Sequence, residues 1–375
     1  MLPLSLWNKV FTATAAAAAS SVGWWMLDCP PSLYIYDKFR TLSSRPGREG
    51  SFHDKNVWIV GASSGIGREL CFQLAASGCT NVIVSSRSTD KLERVASETI
   101  RRYPRTTCHV LPLDVCDDTQ LQQCLQNLPC PVDLVILNAG SGHLSPALET
   151  SPRTVRNMLE QNVVWPMILI PLLLHSDFGV FRTSSSQIFP RIAVTSSVGA
   201  VLPLPLSSAY AASKAALNRY LGSLRAERPD IRIDIWCPGP VDTDFHGSQS
   251  AANVATLTKG TLADESVSSA SVSRSRLKMP VARCVSLMLS SLLQTSRREV
   301  WIVPQPTLTV LYLQGLFPGL VDWMLSLIGP KRVALWRAGL DLYDPASWTG
   351  RRPTASLGTS SQNKNENNES DSTTR

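Results

Sequence analysis

From Asn56 onward, short apolar runs alternate with longer segments in which apolar residues recur at helical spacing. A short apolar run bounded by turn residues is typical of a strand that is buried on both faces. Because strands that alternate with helices pair in parallel, the pattern predicts an α/β fold with a parallel sheet of about seven strands and helices on both faces. The predicted strands lie in the runs VWIV, NVIVSS, HVLPLDV, DLVILNAG, IAVTSS, IRIDIWCPGP and EVWIVP.

An uncharged apolar run precedes this domain. It covers residues 10–27, follows Lys9 and ends with the pair Trp24 and Trp25. Such a run is just long enough to cross a bilayer, and tryptophan favours the membrane interface. We therefore interpret residues 1–27 as a signal anchor, with a cleaved signal or transit peptide and a helix packed on the domain as the alternatives. Basic residues on both sides of the run leave its orientation open.

Changes in composition divide the rest of the chain. Pro and Gly cluster ahead of the domain, Ser, Ala and Thr dominate a long segment before the last predicted strand, and the C-terminal end is polar. Residues 306–329 are apolar but interrupted by Pro318 and Asp322, so we expect two helices that contact a membrane or a second copy rather than a span. The predicted segments are a linker over 28–53, the α/β domain over 54–304 with a lid at about 242–278, an apolar helical extension over 305–345 and a disordered tail over 346–375.

Charge and cysteine content limit the expected partners. The net charge of +7 would attract a polyanion. The chain has no zinc-finger spacing, aromatic RNP-like box or basic helix repeat, so we expect no nucleic acid and favour a phosphate-bearing cofactor. None of the nine cysteines belongs to a C-x-x-C pair, so we expect reduced thiols and no metal site.

A glycine-rich turn follows the first predicted strand. Its sequence is GASSGIGREL, residues 61–70. Gly61 permits a tight turn, Gly65 lets the backbone approach a pyrophosphate and Gly67 allows close packing. The helix that begins there presents N–H donors and partial positive charge to the phosphates. The turn therefore predicts dinucleotide binding.

A basic residue ends the second predicted strand, where an NAD-binding domain would carry an acid. The sequence VSSRS places Ser86, Arg87 and Ser88 there. A guanidinium binds a 2′-phosphate in bidentate fashion, whereas a carboxylate binds the ribose 2′-hydroxyl. The cofactor is therefore expected to be NADPH/NADP rather than NAD(H).

A tyrosine and a lysine four residues apart lie in the alanine-rich run SSAYAASKAALNRY. In a helix, Tyr210 and Lys214 share one face. The ammonium stabilises a phenolate, so we expect it to lower the pKa of Tyr210 and make that residue a usable general acid and base. A general acid of this kind can give its proton to the oxygen of a substrate carbonyl that accepts hydride. Ser197, at the end of the fifth predicted strand, is placed to polarise that carbonyl oxygen.

In their order along the chain, these motifs resemble the short-chain dehydrogenase/reductase family. LNAG at 137–140 and PGPVDT at 238–243 add to the resemblance, which covers residues 54–304. It implies a doubly wound Rossmann fold that binds cofactor and substrate in one domain. It also implies that Asn162 takes the fourth catalytic position and holds a water that links Lys214 to solvent. Val60 stands where family members usually have threonine, which removes a local hydrogen bond.

The glycine turn, the second strand and the resemblance together assign the cofactor site. Tyr210 and Lys214 belong to it as well as to the catalytic set. The other assigned residues are Gly61, Ser63, Ser64, Gly65, Ile66, Gly67, Arg87, Ser88, Asp114, Val115, Asn138, Ala139, Gly140, Pro238, Gly239, Val241 and Thr243.

Four further segments are similar to a membrane-attached, microsomal branch of the family: WCPGPVDTDF, KMPVARCVSLML, REVWIVPQPTLTVLYL and IGPKRVALWRAGLD. The likeness implies an endoplasmic reticulum membrane protein that reduces lipophilic carbonyls such as retinal, 3-keto or 17-keto steroids and quinones with NADPH. We expect contact with membrane lipid and allow for a homodimer. Two other hypotheses stay open: an NADP(H)-binding scaffold without turnover, and a reductase of a long-chain keto lipid.

Overall fold

The structure is a computed structural model of the chain. It describes residues 24–43, 52–182, 190–243, 278–294, 299–340, 342–343 and 347–348. The predicted anchor up to residue 23, the predicted lid between residues 244 and 277 and the predicted tail beyond residue 348 lie outside the described residues.

Seven parallel strands form one sheet. They are β1 (Asn56–Val60), β2 (Asn81–Ser85), β3 (Thr107–Val110), β4 (Leu134–Leu137), β5 (Arg191–Thr195), β6 (Arg232–Pro238) and β7 (Glu299–Ile302). Their order is β3-β2-β1-β4-β5-β6-β7, so the chain starts inside the sheet, winds to one edge and returns past β1 to the other. The parallel sheet predicted from the apolar runs and the doubly wound topology implied by the family resemblance are thereby confirmed, and β1 and β4 flank the point where the winding reverses.

Helices cover both faces of the sheet. They are α1 (Pro31–Ser43), α2 (Gly65–Ala76), α3 (Thr89–Arg102), α4 (Asp118–Gln126), α5 (Pro152–Leu159), α6 (Trp165–Leu174), α7 (Ser208–Glu227), α8 (Val281–Leu292), α9 (Thr307–Leu316) and α10 (Pro318–Arg337). Side chains alternate across each strand. On β1, Ile59 therefore packs in the core cluster beneath α2, α3 and α8, whereas Trp58 packs in the cluster beneath α4, α6 and α7.

One helical segment has the length and composition of a membrane span. Within the described part of the chain, Pro152–Leu174 meets this test, and 44% of its apolar window is buried. Leu169, Ile170 and Leu173 are completely or almost completely buried in the core cluster beneath α6. Packing in the core therefore accounts for its apolar character.

Residues 28–43 differ from the predicted linker. Pro31 is the first residue of α1, a position at which proline is favoured because it lacks an N–H that a helix start would leave unpaired. Leu33 is fully buried, and Arg283 on α8 pairs with both Asp28 and the buried Asp37. The prolines that suggested a linker thus begin a helix that packs on the domain.

The C-terminal extension consists of α9 and α10. The last residues of the predicted anchor pack against it, since Trp24 Nε1 donates to Thr309 Oγ1 over 2.7 Å and the Trp24 ring contacts Tyr312. For these residues the structure agrees with the alternative of a segment packed on the domain. At the other end, Trp348 also packs, because Lys331 Nζ donates to its carbonyl oxygen over 2.6 Å. Residues 347 and 348 of the predicted tail therefore pack beside α10.

Candidate active site

The glycine turn lies against the end of β4. Gly61 has φ +93°, and a Cβ there would lie 2.5 Å from the Ala139 backbone nitrogen. A Cβ at Gly67 would lie 2.0 Å from the Gly61 carbonyl oxygen. Only glycine fits either position. The turn predicted for dinucleotide binding and the LNAG segment are therefore in direct backbone contact.

Backbone hydrogen bonds hold this junction where the family's usual threonine is absent. Val60 is fully buried, and its carbonyl oxygen accepts from the N–H groups of Asn138 and Ala139 over 2.9 and 2.8 Å. Asn138 Nδ2 in turn donates to the Gly61 carbonyl oxygen over 2.9 Å. The turn is thus braced by Asn138 despite the valine.

The start of α2 fits a phosphate group. Ser64 is the N-cap of this helix, yet its side chain makes no capping hydrogen bond. Gly65, at φ +52°, faces Thr243, whose Cγ2 would be 3.3 Å from an added Cβ. The turn of residues 61–67 and the loop that follows β6 therefore border the same space, with the first-turn N–H groups of α2 beside it.

Arg87 and Asp114 border the adenosine end of the predicted cofactor site. Arg87 follows β2 and is exposed, as is Ser88. Asp114 follows β3 and accepts from the Cys116 N–H over 3.1 Å. Burial raises the pKa of the Cys116 thiol, with a further contribution from Asp114, and Arg87 opposes it, so both charges lie near this loop. Val115 packs on the core beside them.

The loop after β6 closes the opposite side of the site. Pro238 ends the strand, and a Cβ at Gly239 would lie 2.3 Å from Val303 Cγ2, so glycine is required there. Val241 forms a bridge to Met279, which leads directly into α8. The predicted residues of this loop are thus held between β7 and α8.

Three predicted catalytic side chains meet above the end of β5. Ser197 follows β5, and its hydroxyl accepts from the Gly199 N–H over 3.1 Å. Tyr210, in the first turn of α7, forms a side-chain hydrogen bond with Ser197. Lys214, one turn further along α7, donates to the Thr195 carbonyl oxygen over 3.1 Å.

The environment shifts the pKa of Tyr210 opposite to the sequence expectation. Burial raises it to about 12, although the hydrogen bond from Ser197 partly opposes the shift. Burial also lowers the pKa of Lys214 to about 8. Desolvation disfavours both charged forms, and it makes the largest contribution to each shift. The structure therefore holds a neutral phenol beside an amine that titrates near pH 8.

An irregular turn places Asn162 next to this cluster. Residues Glu160–Val164 form one π-helical turn between α5 and α6. Asn162 is almost completely buried, and its Oδ1 accepts from the Ser141 N–H over 2.9 Å. A Cβ at Gly140 would lie 2.8 Å from Asn162 Oδ1 and 3.4 Å from Lys214 Nζ. Gly140 thus keeps open a narrow space between the amide and the ammonium.

Sequence reasoning missed Ser213. Its hydroxyl donates to the Tyr210 carbonyl oxygen over 2.7 Å, and it accepts from Asn162 Nδ2 over 3.0 Å. A serine within YAASK, one residue before the lysine, is a signal that could have identified it, because serine inside a helix often bonds back to the preceding turn. Ser213 is therefore a positioning residue that ties Asn162 to α7.

Seven of the nine cysteines are buried, Cys130 is half-buried and Cys116 is exposed. All nine are free, and burial raises the pKa of Cys237, which lies near Lys214, to about 12. Among the described residues, no group of three or more His, Cys, Asp or Glu side chains is arranged to hold a metal ion.

The arrangement supports proton transfer to or from an oxygen atom. A hydroxyl pair, Ser197 and Tyr210, is backed by a buried amine and a buried amide, and a glycine turn suited to phosphate lies beside it. The structure thus brings together the four side chains predicted to be catalytic and places Gly140, predicted for the cofactor, against Asn162 and Lys214.

Comparison with known proteins agrees with this geometry. The chain matches the short chain dehydrogenase family over residues 55–253. It is 31% identical over 306 residues to dehydrogenase/reductase SDR family member 7 of Homo sapiens, covering 78% of this chain and 83% of that protein. It is 34% identical over 200 residues to retinol dehydrogenase 8 of Homo sapiens, covering 52% and 61%. It is 30% identical over 191 residues to very-long-chain 3-oxoacyl-CoA reductase of Vanderwaltozyma polyspora, covering 50% and 54%.

Solved structures share the fold. A short chain dehydrogenase from Burkholderia cenocepacia in complex with NADP aligns with a TM-score of 0.56 at 21% identity, covering 73% of this chain and 98% of that one. A short chain dehydrogenase/reductase from Burkholderia phymatum in complex with NAD aligns with a TM-score of 0.55 at 20% identity, covering 72% and 96%. The family match covers more than half of the chain, and the identity to dehydrogenase/reductase SDR family member 7 extends over most of it. The chain therefore belongs to the short-chain dehydrogenase family.

Proposed function

We propose that this family member is a membrane-bound, NADPH-dependent reductase of lipophilic carbonyl compounds that oxidises the corresponding alcohols in the reverse direction. The observation that carries the proposal is the cluster of the half-buried Tyr210 with the buried Ser197, Lys214 and Asn162 beside the glycine turn. A relative named retinol dehydrogenase supports a lipophilic alcohol or carbonyl as the substrate.

The residues around the turn fit a phosphorylated dinucleotide. Glycines that leave no room for a Cβ, uncapped N–H groups at the start of α2 and the exposed Arg87 form a cradle with positive potential. When bound there, NADPH supplies the hydride for the carbonyl carbon. The segments that would hold it are the turn from Gly61 to Gly67, Arg87 with Ser88, Asp114 with Val115, Asn138 to Gly140, and Pro238 to Thr243.

The catalytic side chains handle the proton. In our proposal the hydroxyls of Ser197 and Tyr210 both donate hydrogen bonds to the carbonyl oxygen, and Tyr210 transfers its proton as negative charge develops there. Lys214, in the charged form, then reprotonates Tyr210, and a water in the space that Gly140 keeps open between Lys214 and Asn162 returns a proton to Lys214 from solvent. Asn162 accepts a hydrogen bond from the Ser141 N–H and donates one to Ser213 Oγ, so little reorganisation is needed at the moment of transfer.

The test is the Tyr210→Phe variant of the detergent-solubilised full chain. Removing the hydroxyl should lower NADPH oxidation with a panel of retinoids, steroids and quinones by at least about 100-fold, because the proton donor is lost. NADPH binding, measured by fluorescence titration, should persist. Tyr220→Phe, a change of the same kind on the same helix, should retain activity.

Two outcomes would count against the proposal. If Tyr210→Phe reduced carbonyls at the parental rate, Tyr210 would not be the general acid. A parental protein that binds NADPH but oxidises it with none of the panel would instead favour the scaffold hypothesis. A long-chain keto lipid is the second candidate substrate class, supported by the relative named 3-oxoacyl-CoA reductase.

We also propose that the membrane contact includes α10. Its exposed apolar side chains Leu320, Trp323 and Leu327 recur at spacings of three and four residues and therefore lie on one helical face. Trp25 and Met26 are exposed beside the point where Trp24 joins α9. An apolar run that leads into this surface supports attachment to a bilayer, which we assign to the endoplasmic reticulum. A homodimer through the same face stays a prediction.

A further inference from the structure

The C-terminal extension forms a wall of the substrate side of the active site. Leu335 and Leu342 are buried in one cluster with Leu206, and Leu144 packs against it. Leu206 lies four residues before Tyr210, and Leu144 lies four residues after Gly140. The extension therefore contacts both loops that lead to the catalytic cluster.

These contacts fix the loop before α7 in a strained conformation. Leu206 has φ +70°, a value that β-carbon sterics disfavour. Its carbonyl oxygen accepts from the Ser145 N–H over 2.8 Å, and α10 lies next to this loop, since a Cβ at Gly329 would be in ordinary van der Waals contact with Pro205 Cγ at 3.6 Å. A conformation of this kind persists only where the surrounding packing holds it.

Tyr343 belongs to the same contact. It packs on the cluster that contains Leu206, which lies four residues before Tyr210. The extension therefore places this phenol beside the loop that leads to Tyr210.

Two cations flank the Tyr343 ring. Lys278 Nζ lies 5.4 Å and Arg332 Cζ 5.6 Å from its centroid. Within the described ranges, neither side chain belongs to an ion pair, and Arg332 Nε is buried without a hydrogen-bond partner. A buried guanidinium N–H without a partner is costly, and a carboxylate or phosphate oxygen would satisfy it.

We propose that Lys278, Arg332 and Tyr343 bind an anionic group of the substrate, a carboxylate or a phosphate. This inference rests on the proposed function and narrows it, since the preferred substrate is then a lipid that carries an acidic group as well as the carbonyl. The planar guanidinium supplies the bidentate contact, and Lys278 adds a second charge. The Tyr343 ring holds both cations in place by cation–π contact.

The experiment compares keto fatty acids of increasing chain length with their methyl esters and with keto-alkyl phosphates, using the full chain in detergent with NADPH. The parental protein should favour the acid or the phosphate over the ester in kcat/KM by about tenfold or more. Arg332→Gln should lower that ratio about tenfold, through KM rather than kcat. Lys331→Gln, which removes the adjacent exposed cation over Trp348, should leave the ratio unchanged.

A binding measurement decides the inference independently of turnover. Tryptophan fluorescence of the full chain should report saturable binding of decanoate but not of decanol, and Arg332→Gln should weaken decanoate binding by about tenfold. Equal binding of the two probes, or an equal loss of acid and ester turnover in Arg332→Gln, would overturn the anion site. Decanoate binding without reduction of any carbonyl would refute the proposed function and leave the anion site standing.

Discussion

Burial decides the protonation of the two groups that exchange a proton in the proposed reaction. Tyr210 stays neutral because its pKa is raised to about 12, and Lys214 titrates close to neutral because its pKa is lowered to about 8. A phenol that keeps its proton is a stored acid for carbonyl reduction. The amine, rather than the phenol, is therefore the group whose titration changes activity within a practical pH range.

We expect kcat/KM for carbonyl reduction to fall as pH rises above about 8. Lys214 must be protonated to refill Tyr210, and burial lowers its pKa, so the proton needed for the relay is lost first at high pH while Tyr210 remains protonated. Initial rates at limiting substrate and saturating NADPH measure this profile. NADPH affinity, followed over the same range, is the control. A plateau extending to about pH 10, where an ordinary lysine titrates, would contradict the role of Lys214.

Arg87 is expected to select the phosphorylated cofactor. Arg87→Ser should lower kcat/KM with NADPH by about tenfold or more and leave NADH little affected, because only NADPH carries the 2′-phosphate that a guanidinium binds. Arg101→Ser, at an exposed position on α3, removes the same charge elsewhere on the domain. If the ratio of NADPH to NADH activity is the same in both variants, Arg87 does not read the phosphate.

At the scale of elements, short segments outside the regular α/β pattern help to position the predicted catalytic side chains. The π-helical turn of Glu160–Val164 buries Asn162 in contact with the Ser141 backbone, and such turns recur at functional sites. Helix α1, which composition indicated as a linker, is fixed to α8 by Arg283. Asp28 and Asp37 raise the pKa of that guanidinium. This contact ties the segment after the apolar N-terminal run to the catalytic domain.

The pairing of α1 with α8 should be measurable as stability. Asp37→Asn should lower the free energy of unfolding by about 2–3 kcal/mol, since Asp37 is buried and also accepts from Ser290 Oγ over 2.8 Å, while Arg283 is partly solvated. Urea unfolding of the full chain measures the change. Asp230→Asn makes the same substitution in the exposed pair with Arg228 and should have little effect. Similar curves for the two variants would mean that α1 is not energetically coupled to α8.

At the scale of the whole molecule, both ends of the described chain meet at the apolar extension. Trp24 contacts α9. One face of α10 exposes apolar side chains to solvent, and Leu335 on the same helix packs against Leu206 in the loop before Tyr210. A lipophilic substrate dissolved in a bilayer would then enter near the surface that contacts the lipid. The extension thus links the proposed membrane contact to the proposed substrate site.

Vesicle flotation tests the outer face of α10. The chain from Trp24 onward should float with lipid vesicles, and the double substitution Trp323→Glu with Leu327→Glu should weaken the association by at least about tenfold, because both exposed side chains would lose their apolar contact. Leu148→Glu, at an exposed leucine outside the extension, is the matched control. Equal flotation of the double variant and the control would show that this face does not bind lipid.

The sequence by itself determined the sheet, the glycine turn and the identity of the catalytic candidates. Apolar runs specify buried parallel strands, and Gly61 and Gly67 occupy positions where no other residue fits. Tyr210 and Lys214 are neighbours through helical spacing alone. These features depend on local chemistry or on a fixed residue spacing, so the sequence alone is enough to predict them.

Only the tertiary structure decided the environment of those residues. Whether Pro31 ends a linker or begins a helix depends on what Leu33 and Asp37 meet, and the pKa of Tyr210 depends on burial by segments remote in sequence. The contact of Lys278 and Arg332 with the Tyr343 ring joins residues that no spacing rule relates. Desolvation and long-range packing arise only once the chain is folded, and so they leave no local pattern in the sequence.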